Sequence, residues 1–388
     1  MASRRNAAAD ARPLPPLPAG FAAQVVAWQR AQGRHHLPWQ ATQDPYRVWL
    51  SEIMLQQTQV STVLGYFERF LDRFPTVVDL ARAPSEDVMA LWSGLGYYAR
   101  ARNLHRCAQV VDQVHGGQFP RTAAELAELP GIGRSTAAAI AAFCFAEHVA
   151  ILDGNVKRVL SRVLGFDEDL AQQAAERRLW ALAEALLPTA AEGPGAIERY
   201  TQGMMDLGAT LCTTRRPACD ACPVRAGCVA GAAGNPEQHP VKTRKLKRGR
   251  RRNALLWLQQ GDQVWLRQRP ATGVWAQLWT LPLFDDAAAL EATVAPWVGN
   301  LEWLPPFTHV LTHLDWELQP ARLQLLAPPD AALQAAIDAG TRAVPPAEAG
   351  GAGDAALTVA GAEPAGRWVP LAALDGVGLP APVRKLLG

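Results

Sequence analysis

Four cysteines, Cys212, Cys219, Cys222 and Cys228, fall within seventeen residues with the spacing C-x6-C-x2-C-x5-C. Four soft ligands so close in sequence can meet only if the chain between them turns back on itself, and Pro217 and Pro223 stiffen those turns. Tetrathiolate zinc sites pair two short C-x2–4-C knuckles, whereas this run has a single short pair, so the spacing favours a 4Fe–4S cluster over structural zinc. The opening MASRRNAAADARPLPPLPAG lacks the apolar core of a secretory signal, and no apolar run reaches the ~18 residues of a membrane span. A cytoplasmic chain without membrane contact is expected, with thiols that stay reduced and bind metal. Cys107 and Cys144 lie in apolar helical contexts and read as core residues.

The texture of the chain changes just after this loop. From Phe21 to about Leu211, runs such as PYRVWLSEIMLQQTQV and STAAAIAAF carry helical periodicity between Gly and Pro breaks, so 21–231 reads as one all-α region that includes the cysteine loop 212–228. Lys242, Arg244, Lys245, Lys247, Arg248, Arg250, Arg251 and Arg252 then crowd into eleven residues, and 232–252 reads as a basic interdomain linker, a flexible strap for phosphates. From Asn253 short apolar runs bounded by Gly, Asp and Pro (NALLWLQQ, QVWLRQRP, LWTLPLF, HVLTHLDWEL) suit strands, so 253–388 is a second, α+β domain. Eight of the thirteen tryptophans fall there, most simply as core packing. Residues 1–20 read as a loose tail and 328–366, rich in Ala, Gly and Pro, as a flexible loop. At 388 residues with 49% apolar content the chain is long and apolar enough for both cores, and a net charge of +2 excludes no class of partner.

Two motifs carry chemistry. AELAELPGIGRSTAAAIAAF predicts a helix, a tight turn on Pro130, Gly131, Ile132 and Gly133, and a second helix opening at Arg134. The glycines admit close approach of a ligand, and the free N–H groups of the second helix suit a phosphate oxygen, which makes Gly131, Gly133 and Arg134 candidate DNA contacts in a helix-hairpin-helix. Some twenty residues on, ILDGNVKRVLSR places Asp153 at a helix N-cap. With the cysteines, this order of motifs resembles the helix-hairpin-helix DNA glycosylase superfamily, in which the matching aspartate lies in the base-excision pocket.

That superfamily divides on the second residue after the final hairpin glycine, where strand-cleaving members carry a lysine that forms a Schiff base. Here it is Ser135, which cannot form an imine, so the resemblance implies a monofunctional hydrolase. Such an enzyme needs an acid for the departing base and an anion for the charge left on the sugar. Glu52 shares a stripe with Val48, Trp49, Leu55, Gln56 and Gln59 in a helix started by Asp44 and Pro45. A carboxyl among apolar neighbours should have a raised pKa, while Asp153 at a helix N-terminus should stay ionised, which assigns Glu52 as acid and Asp153 as anion.

LPWQ, WLSEIMLQQTQV, GLGYYARARNL, LPGIGRSTAAAI, LDGNVKRVL and the four cysteines together resemble the MutY family of adenine DNA glycosylases over about residues 21 to 320. The resemblance implies excision of adenine opposite 8-oxoguanine or guanine from double-stranded DNA by a monomer, with the base flipped into a pocket. It further implies that Asn155 and Ser135 line that pocket and that Gln56 and Tyr97 enter the duplex. Between Tyr97 and Tyr98 the residues alone do not choose.

RPATGVWAQLWTLP resembles the Nudix-like C-terminal domain of the same family. A working Nudix hydrolase needs carboxylates at helical spacing for magnesium, and the only nearby acids after Gly273 are Asp285, Asp286 and Glu291, so a recognition role is expected. In the family a loop with the pattern F-[ST]-H reads the opposite base. Leu311-Thr312-His313 matches best, with Leu311 replacing the aromatic, and Phe307-Thr308-His309 is the alternative. Thr312 and His313 can act together only if the strand begins after His313 or bends there, since neighbours in a strand face opposite ways. Two other functions stay open at this point: an endonuclease III-type glycosylase/lyase on oxidised pyrimidines, and a non-catalytic iron-sulfur DNA-binding protein.

Overall fold

The computed structural model describes residues 15–243, 248–341 and 366–388. Most of the expected tail, three basic residues of the expected linker (Arg244, Lys245 and Lys247) and the greater part of the expected 328–366 loop lie outside them. The chain forms two compact units, one from the described residues of Met1–Arg82 and Asn103–Lys245, the other from those of Ala83–Arg102 and Leu246–Gly388. In chain order the helices before the cysteine loop are α1 (Phe21–Gln32), α2 (Pro45–Leu55), α3 (Val60–Arg73), α4 (Val77–Arg82), α5 (Ser85–Leu91), α6 (Ala99–His115), α7 (Ala123–Leu126), α8 (Arg134–Phe145), α9 (Gly154–Val163), α10 (Gln173–Ala185) and α11 (Ala196–Thr210). A short α12 (Val229–Ala232) follows the last cysteine. Among the described residues the first unit contains no strand, as the helical periodicity predicts.

Local chemistry sets the helix boundaries that matter. Asp44 caps α2 by accepting from the Tyr46 N–H at 3.0 Å, with Pro45 in the first turn, as expected. PYRVWLSEIMLQQTQV, however, is not one helix. It stops at Leu55, Gln57 takes a left-handed φ of 57°, and Gln59 caps α3, so Gln56 and Gln59 leave the stripe of Glu52. The polar run from Gln56 to Gln59 has no apolar face to bury and thus nothing to hold it helical. The core beneath joins Val25 of α1, Ala139 of α8, Val156 and Leu160 of α9, Leu179 of α10 and Leu207 of α11, all at or near full burial. Each such side chain contributes roughly 1.5–3 kcal/mol by leaving water.

The second unit is built on a mixed sheet. Its twelve-residue strands β1 (Gly249–Gln260) and β7 (Leu314–Leu325) run parallel at the centre. Antiparallel to them lie β2 (Gln263–Gln268) and β4 (Leu283–Phe284) on β1, with β5 (Gly299–Trp303) and β6 (Phe307–Val310) on β7, while β3 (Trp279–Thr280) and β8 (Arg367–Pro370) pair with β2. Helices α13 (Ala287–Val294) and α14 (Ala331–Gly340) bury Leu290, Val294 and Ile337 with Leu256, Leu258 and Trp265, and α15 (Ala381–Leu387) ends the chain. Two expectations change here. Residues 249–252 of the expected linker are the start of β1, paired with Leu314–Glu317, where Arg252 meets Glu317 and Arg248, just before the strand, meets Asp315. Residues 331–340 of the expected loop form α14, since Asp330 caps it and Leu333 and Ile337 share a face. No helix among the described residues is long and apolar enough to cross a membrane.

Candidate active site and nucleic-acid interface

The first unit holds a pocket of about 450 Å³, within the usual range for ligand sites of about 300–1,000 Å³. Glu52 of α2 lines it with Val48 and Leu55 of the same helix, Arg34 and Trp39 of the α1–α2 loop, and Gln202 of α11. Burial, and after it the charge of Asp153, raises the Glu52 carboxyl to about 8. Glu52 is thus protonated at neutral pH while facing a cavity, the state that a general acid needs. Arg34 is held in the wall by Asp206 of α11, which is fully buried: the Arg34 backbone N–H donates to it at 2.9 Å and Nε at 2.7 Å, and Gln202 donates at 2.8 Å.

Asp153 caps α9, accepting from the Val156 N–H at 2.7 Å, as the sequence predicts. Its pKa is nevertheless raised, by burial. The N–H groups of Val156 and Asn155, then Arg158 and Lys157, oppose that effect. The expectation that the two carboxyls are pushed apart in opposite directions is therefore corrected: burial acts on both, and only Asp153 has donors and cations working against it. Ser135 of α8 is one bond away from this cap, since its hydroxyl accepts from the Leu152 N–H at 3.0 Å. Of the expected pocket residues, Glu52 lines this cavity, whereas Asp153, Ser135 and Asn155 are not among its lining side chains. The Asn155 side chain accepts from Arg158 Nη2 at 2.7 Å and packs on Gly208 of α11, where a Cβ would lie 2.5 Å from that of Asn155.

The hairpin turn forms as expected. Gly131 has φ 78°, and a Cβ there would lie 2.6 Å from the Asn103 Cβ, so only glycine lets the turn pack on α6. Gly133 caps α8 with its surroundings open. Arg134 is already engaged: its guanidinium bonds Glu184 at 2.5 Å and stacks 3.9 Å from the Trp180 ring.

All four cysteines line one recess walled by apolar side chains such as Val159, Val163 and Val224. Among the described residues no three ligands converge on a point that could hold a single metal ion. The thiols surround the recess instead of meeting in it. Arg162, only 2% exposed, donates from Nη1 to the Cys212 sulfur at 3.3 Å, and the Gly231 N–H reaches the Cys228 sulfur at 3.4 Å. A cationic and an amide donor aimed at sulfur suit thiolates bound to an electron-poor group, so the donor set fits an iron–sulfur cluster. Arg162 also bonds the carbonyls of Thr213, Thr214 and Pro236, and Arg158 those of Cys212 and Gly208, so α9 carries Asp153 at one end and braces the cysteine loop with its other side. Cys107 is buried as expected, and Cys144 is half-buried.

In the second unit the turn before α6 and the β6–β7 turn meet. Tyr97 sits at φ 48° with 49% of its surface exposed, and its hydroxyl lies 3.4 Å from Thr312 Oγ1. Tyr98 is half-buried, its hydroxyl donating to the Leu379 carbonyl at 3.2 Å. Of the two tyrosines, Tyr97 is thus the one open to a ligand. Leu311-Thr312-His313 forms the turn between β6 and β7, and β7 begins at Leu314, so the geometric condition on Thr312 and His313 is met: both are exposed. The alternative triplet lies within β6, where His309 is half-buried against Trp275 at 5.5 Å.

Residues 50–185 match the HhH-GPD superfamily of base excision DNA repair proteins, and residues 253–388 match the NUDIX domain. The adenine DNA glycosylase of Buchnera aphidicola subsp. Acyrthosiphon pisum (strain APS) is 34% identical over 79% of this chain and 87% of its own length. This chain belongs to the adenine DNA glycosylase family. The human adenine DNA glycosylase is likewise 34% identical, over 76% of this chain and 63% of its own length.

Family membership leaves several residues that the sequence reading did not single out. Arg34, Asp206 and Gln202 shape the pocket around Glu52, and an aspartate inside the otherwise apolar run GMMDLGA was the available signal. Arg158 and Arg162 gave no such signal, because arginines on a helix after an N-cap read as a solvated face. Arg100 is another: it is 9% exposed, packs against the rings of Trp92 and Tyr97, and holds the carbonyls of Leu95 and Gly96.

Proposed function

We propose that this protein excises adenine from double-stranded DNA where it stands opposite 8-oxoguanine or guanine, hydrolysing the N-glycosidic bond without cutting the strand. The observation that carries this reading is Glu52, a carboxyl raised to about 8 by burial on the wall of a base-sized pocket. Flipped into that pocket, adenine accepts the Glu52 proton, by family resemblance at N7, and leaves as a neutral base. The Asp153 carboxylate, held at the α9 N-terminus by the Val156 N–H, stabilises the positive charge growing on the sugar until water attacks. Ser135 offers no amine for a Schiff base, and its bond to Leu152 gives it the work of placing the adjoining Asp153.

Gly131 and Gly133 present backbone N–H groups to a phosphate, while Gln56, Tyr97, Thr312 and His313 meet the bases around the lesion, the last two reading the opposite strand. Arg134 reaches phosphate after leaving Glu184. Cys212, Cys219, Cys222 and Cys228 would hold a 4Fe–4S cluster, which would supply a compact anchor for the loop. The enzyme acts as a monomer in the nucleoid.

The test is a single-turnover reaction on a duplex with A opposite 8-oxoguanine, with and without alkali. Strand breaks only after alkali support the reading. Breaks without alkali, with a borohydride-trapped adduct, indicate a lyase, and no abasic product indicates a binding protein.

A further inference from the structure

We infer that the segment Val377–Leu387 is a positioning element for the Tyr97 turn, so that reading of the base opposite adenine depends on residues that touch no DNA. This rests on the proposal that Tyr97 and Thr312 sense that base.

The turn needs holding. Gly94, Gly96 and Tyr97 all have positive φ (101°, 73° and 48°), and for tyrosine that conformation is strained. From inside, the Trp92 indole N–H donates to the Gly96 carbonyl at 3.1 Å, and Arg100 bonds the same carbonyl at 3.1 Å while packing on the Tyr97 ring. From outside, one backbone carbonyl does most of the work. Leu379 O accepts from Ser93 Oγ at 2.7 Å and from the Tyr98 hydroxyl at 3.2 Å, so the residues on both sides of the turn are tied to one atom. Tyr98 in turn accepts from the Gly94 N–H at 3.3 Å.

That atom is itself fixed. Arg384 of α15 bonds Ser93 Oγ at 3.3 Å, the Val377 carbonyl at 2.7 Å and Asp375 at 3.0 Å. Gly378 presses on α5, where a Cβ would lie 3.1 Å from the Met89 Cβ, and its carbonyl accepts from the Trp279 N–H of β3 at 3.0 Å. Residues 377–379 are buried throughout. The chain of contacts therefore runs from β3 through Gly378 and Leu379 to Ser93 and Tyr98, and ends at Tyr97 beside Thr312. This chain of contacts lies within the second unit, whereas Glu52 and Asp153 belong to the first, so it should influence which mispair is read and leave base removal itself alone.

The experiment compares single-turnover rates on A opposite 8-oxoguanine and A opposite guanine for Ser93→Ala combined with Tyr98→Phe. This pair removes both hydroxyls and keeps both shapes. The rate opposite guanine should stay within about twofold, while the preference for 8-oxoguanine falls on the order of fivefold to tenfold, part of the effect of the two hydroxyl–carbonyl bonds removed. Tyr98→Phe alone keeps the Ser93 bond and should show a smaller loss of preference, and it serves as the test if the double variant melts early. An unchanged preference, or equal losses on both duplexes, overturns the inference. Tyr97→Ala and Thr312→Ala separate it from its premise: if they lose the preference while the Ser93 and Tyr98 variants keep it, only the positioning role fails. If they keep it, the reading of Tyr97 and Thr312 fails as well.

Discussion

At the scale of single residues, the proposed chemistry turns on the proton of Glu52. Its folded pKa of about 8 lies above the ordinary carboxylate value, so the proton is present below about 8 and is lost as pH rises through it. The single-turnover rate should therefore fall across that range, and a rate flat from pH 6 to 10 would remove Glu52 from the role of acid. The same shift acts on stability. Because the fold favours the protonated form, its contribution is complete below the unfolded value near 4.5 and is lost as pH rises through about 8. Glu52→Gln should thus abolish base release, keep duplex binding in a gel-shift assay, and melt with a flatter pH dependence than the parent. Ser135→Ala tests its neighbour. The Leu152 N–H would lose its partner, at a cost of about 1–3 kcal/mol seen in chemical denaturation, and excision should slow because Asp153 follows directly.

At the scale of elements, α9 joins the site to the cysteine loop, and its seat is set by one glycine. Gly208 of α11 lies so close to Asn155 that a methyl group there would have to push α9 outward. Gly208→Ala should cost about 1–3 kcal/mol of overpacking, lower the excision rate, and leave in place the visible absorbance that the proposed cluster would give, since the cysteines lie at other positions. Unchanged kinetics would show that α9 tolerates the shift. The caps of α2 and α9, the hairpin and the cysteine loop were legible in the sequence because each is a local code: Asp44, Asp153, Gly131 and the thiol spacing need no distant partner. What stayed hidden was long-range. Asp206 reaches Arg34 across 172 residues and Ser93 reaches Leu379 across 286, and no periodicity reports such pairs. The break at Gln56 was missed for the opposite reason, because a polar run can extend a helix on paper with nothing to bury it.

At the scale of the whole molecule, the proposed function divides between the units: excision falls to the one that carries Glu52, and the reading of the partner strand to the other, which gathers residues 83–102 with the sheet. The basic run that leads into this sheet was expected to act as a uniform strap, but its described part is differentiated. Arg248 bonds Asp315 at 2.5 Å and the Leu311 carbonyl at 3.0 Å, and Arg252 bonds Glu317 at 2.8 Å, whereas Arg250 is exposed and Arg251 packs over the Trp316 ring. The Gly249 N–H donates to the His313 carbonyl, so this stretch borders the turn proposed to read the lesion. An arginine held by a carboxylate must leave it before meeting a phosphate, while Arg250 and Arg251 meet no carboxylate among the described residues. Arg250→Gln with Arg251→Gln should therefore lower the salt dependence of duplex binding by about one unit of slope per residue. Arg248→Gln with Arg252→Gln removes the same charge and should lower the slope less. Binding isotherms across a salt series decide between contact and bulk charge: equal changes in the two pairs would mean that only net charge matters, and no change in either would take the start of β1 away from the DNA.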